Sequence, residues 1–304
     1  MASGQAEAIR NMFREHRERN VDAPASLEDM RAGADGMGDL TAEPEGVTYT
    51  ATDVDGLPAL WADPVEAARD RVILLLHGGG YMSGSIRSHH KLAGHLARST
   101  GCRALIVEYR LAPEHPFPAG LDDASATVSW LLAQGFNPAG IALCGDSAGG
   151  GLAVATLLTL REKYPQLPAA CVLLSPWLDV EGTGESMTTR ADLDMLVSPA
   201  GQAIGRRMYL AGHDPRDPLI SPIYADLSGL PPLYIQVGDH ECLLDDSTRL
   251  ASNAQRDGVD VQLDVFPEMQ HVFQLSAGNL PEADDAVQRI GEWLRPRLRL
   301  AAQS

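Results

Sequence analysis

Residues 141–152 read Ile141-Ala142-Leu143-Cys144-Gly145-Asp146-Ser147-Ala148-Gly149-Gly150-Gly151-Leu152. An apolar run of strand length, Ile141 to Cys144, meets a glycine-flanked serine. A helical pattern starting near Gly150 then continues through Leu152, Ala155 and Leu158 to Lys163. This is a G-x-S-x-G sequence set between a strand and a helix. Small residues on both sides allow a sharp, strained turn without clashes, and the turn lifts the Ser147 hydroxyl above a sheet at a helix N-terminus. Ser147 is therefore the candidate nucleophile. The same stretch predicts a strand–helix unit of an α/β protein.

Strands and helices alternate on both sides of this unit. Val72 to Leu76, Ala104 to Tyr109, Ile141 to Cys144, Ala170 to Leu174, Leu233 to Val237 and Val261 to Phe266 are short, rich in Val, Ile and Leu, and mostly apolar on both faces. Strands buried on both faces of a parallel sheet have this composition. Ahead of them, Val47 to Thr52 and Leu57 to Ala62 alternate and are joined by Asp53-Val54-Asp55-Gly56, which predicts an antiparallel hairpin. Helical spacing marks Leu92 and Leu96, then Ala124 to Leu132 behind Asp122 and Asp123, and finally Val287, Ile290, Leu294 and Leu298. Two hairpin strands and six further strands predict a mainly parallel eight-stranded sheet flanked by helices.

Two stretches fall outside the alternation. Residues 1–40 contain an amphipathic pattern around Ile9, Met12 and Phe13, then a helix start at Ser26 with Asp29 three positions on. Residues 180–215 carry Met187, Met195, Leu196, Met208 and Tyr209 among Gly and Thr. Adaptable methionine-rich surface suits a helical cap over an apolar pocket. The expected organisation is a cap from 1–40 and 180–215 on a catalytic domain from 41–179 and 216–304.

A second glycine motif, His77-Gly78-Gly79-Gly80-Tyr81, follows the strand ending at Leu76. Without Cβ atoms, its main-chain N–H groups can converge on one oxygen, as an oxyanion hole requires. The N–H groups of Gly78, Gly79 and Ala148 are the expected donors. A dinucleotide loop does not fit, because position 83 is Ser83 and not glycine. With a strand–Ser–helix nucleophile the triad order is Ser, acid, His, so the base follows Ser147. His213 lies in the expected cap and His240 in the acid loop itself, whereas His271 closely follows the strand Val261 to Phe266 and is the expected base. The acid comes from Gly238-Asp239-His240-Glu241-Cys242-Leu243-Leu244-Asp245-Asp246, which leaves several carboxylates open. Tyr81, Asp146, Met208 and Tyr209 are the expected substrate contacts.

Taken with Tyr109-Arg110-Leu111-Ala112-Pro113-Glu114 and Leu230-Pro231-Pro232, these segments resemble the bacterial hormone-sensitive lipase family of esterases, over about residues 47–295. The resemblance implies an α/β-hydrolase fold and a serine carboxylesterase acting on short- to medium-chain acyl esters, with no cofactor and no metal. The family acid usually appears as Asp-Pro-Leu-x-Asp. Aligning Leu243 and Asp245 with that pattern puts Glu241 at the catalytic position and Cys242 where proline is usual. Asp239 and Asp245 are the alternatives, Asp245 being expected to support the loop or cap the following helix. Lactone hydrolases and small-molecule deacetylases share the motifs. A small-molecule receptor on the same fold is the reading from another class, and His271 weighs against it because the gibberellin receptors of plants lack the catalytic histidine.

Composition narrows the partners. The 304 residues are 44% hydrophobic and 21% charged, which suits a globular body large enough to build a core without metals or disulfides. Asp and Glu number 41 against 24 Lys and Arg, a formal charge of −17, so nucleic acid and anionic membrane surfaces are repelled. The charged first 30 residues contain no apolar leader, and no apolar run approaches membrane-spanning length. A soluble, cytoplasmic protein with a small ester substrate is expected. Cys102, Cys144, Cys171 and Cys242 form no Cys-x-x-Cys pair and read as buried free thiols. The strand Val261 to Phe266 reads as a sheet edge, which would allow a homodimer.

Overall fold

In a computed structural model the structure describes residues 2–19 and 26–301; residues 20–25 of the expected cap lie outside the described residues. The chain opens with α1 (Gly4–Arg19) and α2 (Leu27–Gly36). Ser26 caps α2 through a full capping box with Asp29, as its spacing predicts. The hairpin β1 (Val47–Val54) and β2 (Leu57–Pro64) follows, and β3 (Ala68–Leu76) leads into α3 (Ile86–Thr100) and β4 (Cys102–Val107). Next come α4 (Ala119–Ala133), β5 (Ile141–Asp146), α5 (Ala148–Arg161) and β6 (Ala170–Leu174). The segment between β6 and β7 contains α6 (Ser186–Thr189) and α7 (Pro199–Leu210). Finally β7 (Leu233–Gly238), α8 (Leu244–Arg256), β8 (Val261–Phe266) and α9 (Pro281–Arg297) complete the fold.

The eight strands form one sheet in the order β1-β2-β4-β3-β5-β6-β7-β8. Pairing is antiparallel in β1–β2 and β2–β4 and parallel from there on. Side chains alternate across β3: Val72, Leu74 and Leu76 enter one core, Ile73 and Leu75 the other. The first core packs beneath α4, α5 and α8; the second lies beneath α3 and α9. Both faces are thus covered, and the central strands β5, β6 and β7 are buried along their whole length. Asp123, at the start of α4, is buried and accepts from the Arg110 guanidinium at 2.7 Å, tying α4 to the loop after β4.

The N-terminal segment lies at the C-terminal ends of the strands. Arg31 of α2 forms a bidentate pair with Glu114 at 2.6 and 2.8 Å and donates to the carbonyl oxygens of Met82 and Ala112. Ala6, Ile9 and Phe13 of α1 line a small hollow together with the loop that follows β8. Among the described residues, no helix is long and apolar enough to cross a membrane. All four cysteines are free and buried.

Candidate active site

β5 delivers Ser147 at the sheet's C-terminal edge with φ of 50° and ψ of −121°, a conformation rarely adopted by a residue with a side chain. The surroundings hold it there. Ser147 N–H donates to the Leu174 carbonyl at 2.9 Å, and the Ser147 carbonyl accepts from Trp177 N–H at 2.8 Å. A Cβ on Gly145 would run into the Gly149 carbonyl, and one on Gly149 into the Leu76 carbonyl, so only glycine allows α5 to approach β3 this closely. The motif glycines are therefore steric requirements of the turn.

The structure brings His271 and Glu241 together. His271 Nδ1 lies 2.9 Å from Glu241 Oε2, which leaves its Nε2 able to accept a proton. Glu241 is fully buried, and its other oxygen accepts from Ser175 Oγ at 2.7 Å and from Gly238 N–H at 2.5 Å. Ser175 also accepts from Val272 N–H at 3.1 Å, so one hydroxyl links Glu241 to the loop that carries His271. The neighbouring carboxylates face elsewhere. Asp239 accepts from Glu268 N–H at 2.6 Å, and Asp245 accepts from Ser186 N–H at 2.9 Å. Asp246, which no motif marks, holds Leu178 and Asp179 N–H.

Burial and charge oppose each other at this pair. Burial by itself would push the His271 pKa down, but the Glu241 bond and the nearby Asp194 and Asp146 carboxylates carry it above the ordinary histidine value. Burial raises the Glu241 pKa, against the pull of His271 and Ser175 towards the ionised form. The direction we hold to is the histidine's, since the hydrogen bond from Nδ1 and the surrounding negative charge both favour imidazolium.

The glycine loop requires a correction. Gly78 N–H donates to Asp146 Oδ1 at 2.9 Å, so it is occupied inside the protein and unavailable to a substrate oxygen. For Gly79, Gly80 and Ala148, the described residues provide no acceptor for the N–H groups outside regular helix and strand bonding. One of the expected donors is thus already taken up inside the protein. Asp146 is accordingly a scaffold for the loop: it also pairs with His89 Nε2 at 3.2 Å and is almost wholly buried. His77 is buried with its pKa lowered to about 4; its Nδ1 meets the Gly78 carbonyl at 2.9 Å, and its ring stacks on Tyr109.

Ser147 and His271 open onto one cavity of about 330 Å³. Leu196, Val197, Ser198, Gly201, Gln202 and Gly205 line it from the segment around α7, and the N-terminal segment adds Ala34 and Met37. Met82, Trp177, Leu243, Val272 and Leu275 make the remaining wall predominantly apolar, and among the described residues no Lys or Arg lines it. Three expected substrate contacts do not. Tyr81 and Tyr209 are buried and stacked face to face with centroids 3.7 Å apart, joining the loop after β3 to α7, and Met208 is likewise absent from the lining. Met208 and Tyr209 share the helical face of Gly201, Gln202 and Gly205 but lie about a turn or more further along α7, where the Tyr209 ring meets Tyr81 and Phe117 and not the cavity. Sequence reasoning overlooked the roles of Ser175, Asp194, His89 and Gln270, none of which stands in a recognisable motif.

Comparison with known proteins gives a consistent picture. A family model for the α/β-hydrolase fold matches residues 73–275. An acetyl-hydrolase of Streptomyces hygroscopicus is 45% identical over 238 residues, covering 78% of this chain and 79% of its own. An esterase of Acinetobacter venetianus is 37% identical over 229 residues, covering 75% and 76%. The crystal structure of an esterase from the bacterial hormone-sensitive lipase family superposes with a TM-score of 0.93 at 45% identity, covering 98% of this chain and 99% of that one.

Proposed function

The chain belongs to the α/β-hydrolase fold family, in the bacterial hormone-sensitive lipase group of esterases, and is an ester hydrolase; from that premise we propose that Ser147, His271 and Glu241 are its catalytic triad. Ser147 Oγ attacks the ester carbonyl while His271 Nε2 takes its proton. The carbonyl π pair moves onto oxygen, and the oxyanion accepts N–H bonds from Gly79, Gly80 and Ala148. Collapse breaks the bond to the alcohol oxygen, which leaves with the His271 proton, and the acyl group stays on Ser147. Water then attacks, gives a proton to His271, and releases the acid as the proton returns to Ser147. Glu241 orients the imidazole and stabilises the imidazolium formed in each half-reaction.

The observation that carries this reading is the His271–Glu241 bond at 2.9 Å beside the cavity that Ser147 also lines. We read the substrate as a neutral, short- to medium-chain acyl ester. The wall is mainly apolar, and a substrate carboxylate would meet Asp146 with no Lys or Arg among the described lining residues to balance it. On p-nitrophenyl esters, kcat/KM is expected to rise from acetate towards butyrate and hexanoate, by up to about fourfold per CH₂ while the cavity still buries it. Background subtraction with Ser147→Ala makes the measurement specific, and a profile falling monotonically from acetate would remove the medium-chain reading. A second reading, deacetylation of a larger alcohol, is favoured by the acetyl-hydrolase name of the 45% identical relative; acetylated alcohols run in the same screen would then outperform every longer acyl chain.

A pH profile follows from the charge around the base. Catalysis needs neutral His271, and its folded pKa is raised, so kcat/KM should fall on the acid side with a midpoint above about 6.5. Below that midpoint His271 already carries the proton it must accept. A midpoint under about 6 would contradict the assigned pairing with Glu241.

A further inference from the structure

We propose that Asp194, in the cap loop between α6 and α7, is a positioning residue for hydrolysis, bridging the cap to the acid-bearing loop and setting a second buried negative charge beside His271. The proposal rests on the triad reading above. Asp194 is fully buried. Its Oδ1 accepts from Leu196 and Val197 N–H at 2.9 and 2.8 Å, and its Oδ2 accepts from Cys242 N–H at 2.8 Å. Cys242 directly follows Glu241, so this bond fixes the backbone next to the acid. A proline at 242 would have no N–H to give.

The same loop is held from two more directions. Gln270, adjacent to His271, accepts from Met195 N–H at 2.8 Å and donates to the Leu193 carbonyl at 3.0 Å. Arg17 of α1 donates to the carbonyl oxygens of Asp194 and Ala191 at 2.7 and 3.3 Å. Residues 193–197 are thus tied to the acid loop, the base loop and the N-terminal helix together. Leu196 and Val197 from this stretch line the substrate cavity. The wall over the acyl group and the Glu241–His271 pair therefore form one connected unit.

A plain structural tie could be made by a neutral side chain at lower desolvation cost, since a buried carboxylate is expensive even when hydrogen-bonded. The charge has a use here, because the reaction creates imidazolium at His271. The charged groups around that ring are Glu241 from the acid loop, Asp194 from the cap and Asp146 from β5. His89 and Glu268 lie along the two hollows that His271 lines, and Arg17 lies behind the cap loop. Asp194 acts with Glu241 in the direction that favours imidazolium, which helps Ser147 lose its proton.

The test compares wild type, Asp194→Asn, Arg17→Met and His271→Ala on p-nitrophenyl butyrate across pH, with thermal unfolding alongside. Asp194→Asn keeps the shape, removes the charge and, with its oxygen held by Leu196 and Val197 N–H, presents an NH₂ that can no longer accept from Cys242 N–H. The expected result is an acid-limb midpoint about half a pH unit or more lower, with kcat down about tenfold and KM unchanged. Arg17→Met loosens the anchor of Asp194 from an exposed position, and kcat should fall severalfold at constant KM. A folded Asp194→Asn whose midpoint stays at the wild-type value, even with a lowered Tm, overturns the proposal. Should that variant not fold, an unchanged kcat in Arg17→Met overturns it instead. Wild-type turnover in His271→Ala would mark failure of the triad reading, whereas an inactive His271→Ala beside an unmoved Asp194→Asn limb marks failure of this proposal alone.

Discussion

Ser147→Ala is expected to lower kcat by about 10⁴-fold or more while leaving the protein folded. That loss corresponds to about 5.5 kcal/mol of transition-state stabilisation. Stability should hardly change, because the Ser147 side chain makes no capping bond to α5 and the turn is held by its main chain and flanking glycines. His271→Ala should reach the same floor, and the double variant should be no worse than either single one, because nucleophile and base act as a unit. The two differ in stability: His271→Ala strips the fully buried Glu241 of its partner, a loss of about 3–5 kcal/mol, so its Tm should drop. Single-turnover and steady-state rates with an active-site titration check both statements. Retention of more than about a hundredth of the wild-type rate in either variant would mean that the nucleophile or base lies elsewhere.

The second large effect is at the acid. Glu241→Gln should reduce kcat about 10³- to 10⁴-fold with almost unchanged KM. The amide keeps an oxygen for Ser175 Oγ and Gly238 N–H, so the loop stays in place. What changes is the group facing His271 Nδ1, which becomes an NH₂ donor. The imidazole must then carry its proton on Nε2, and that nitrogen can no longer accept from Ser147. Asp239→Asn and Asp245→Asn should cost less than about tenfold, since their carboxylates serve Glu268 and Ser186 N–H and neither bonds His271. The acid limb of the profile should also move down in Glu241→Gln, because the partner that raises His271 is gone. A larger loss in Asp239→Asn than in Glu241→Gln would transfer the role to Asp239.

Much of the scaffold was legible in the sequence for one reason. β5, β6 and β7 are covered on both faces along their length, so burial forces apolar runs close to the length of the strand, whereas β3 begins at Ala68, four residues ahead of its buried run Val72–Leu76. The elements were accordingly located to within a few residues: Ala170–Leu174 and Val261–Phe266 match in full, whereas β4 ends at Val107, short of the expected Tyr109, and α5 begins at Ala148, ahead of the expected Gly150. The hairpin and the α2 capping box were readable because turn and cap chemistry is local.

What the sequence determined by itself is the set of residues whose neighbours along the chain dictate their geometry. Ser147 belongs here, since flanking glycines permit its turn, and so does the glycine loop after β3. Tertiary structure alone decided questions in which several equivalent groups compete for one partner. Glu241, Asp239 and Asp245 lie within seven residues of each other, and only the packing of β7 against the loops after β6 and β8 turns one of them towards His271. Gly78 is chemically identical to Gly79 and Gly80, yet the Asp146 carboxylate takes its N–H. Tyr81 and Tyr209 look like contact residues until their rings stack in the core and leave the cavity to Gly201, Gln202 and Gly205. Spacing along a chain constrains local backbone, whereas the direction of a hydrogen bond or a ring depends on elements that meet only when the sheet closes.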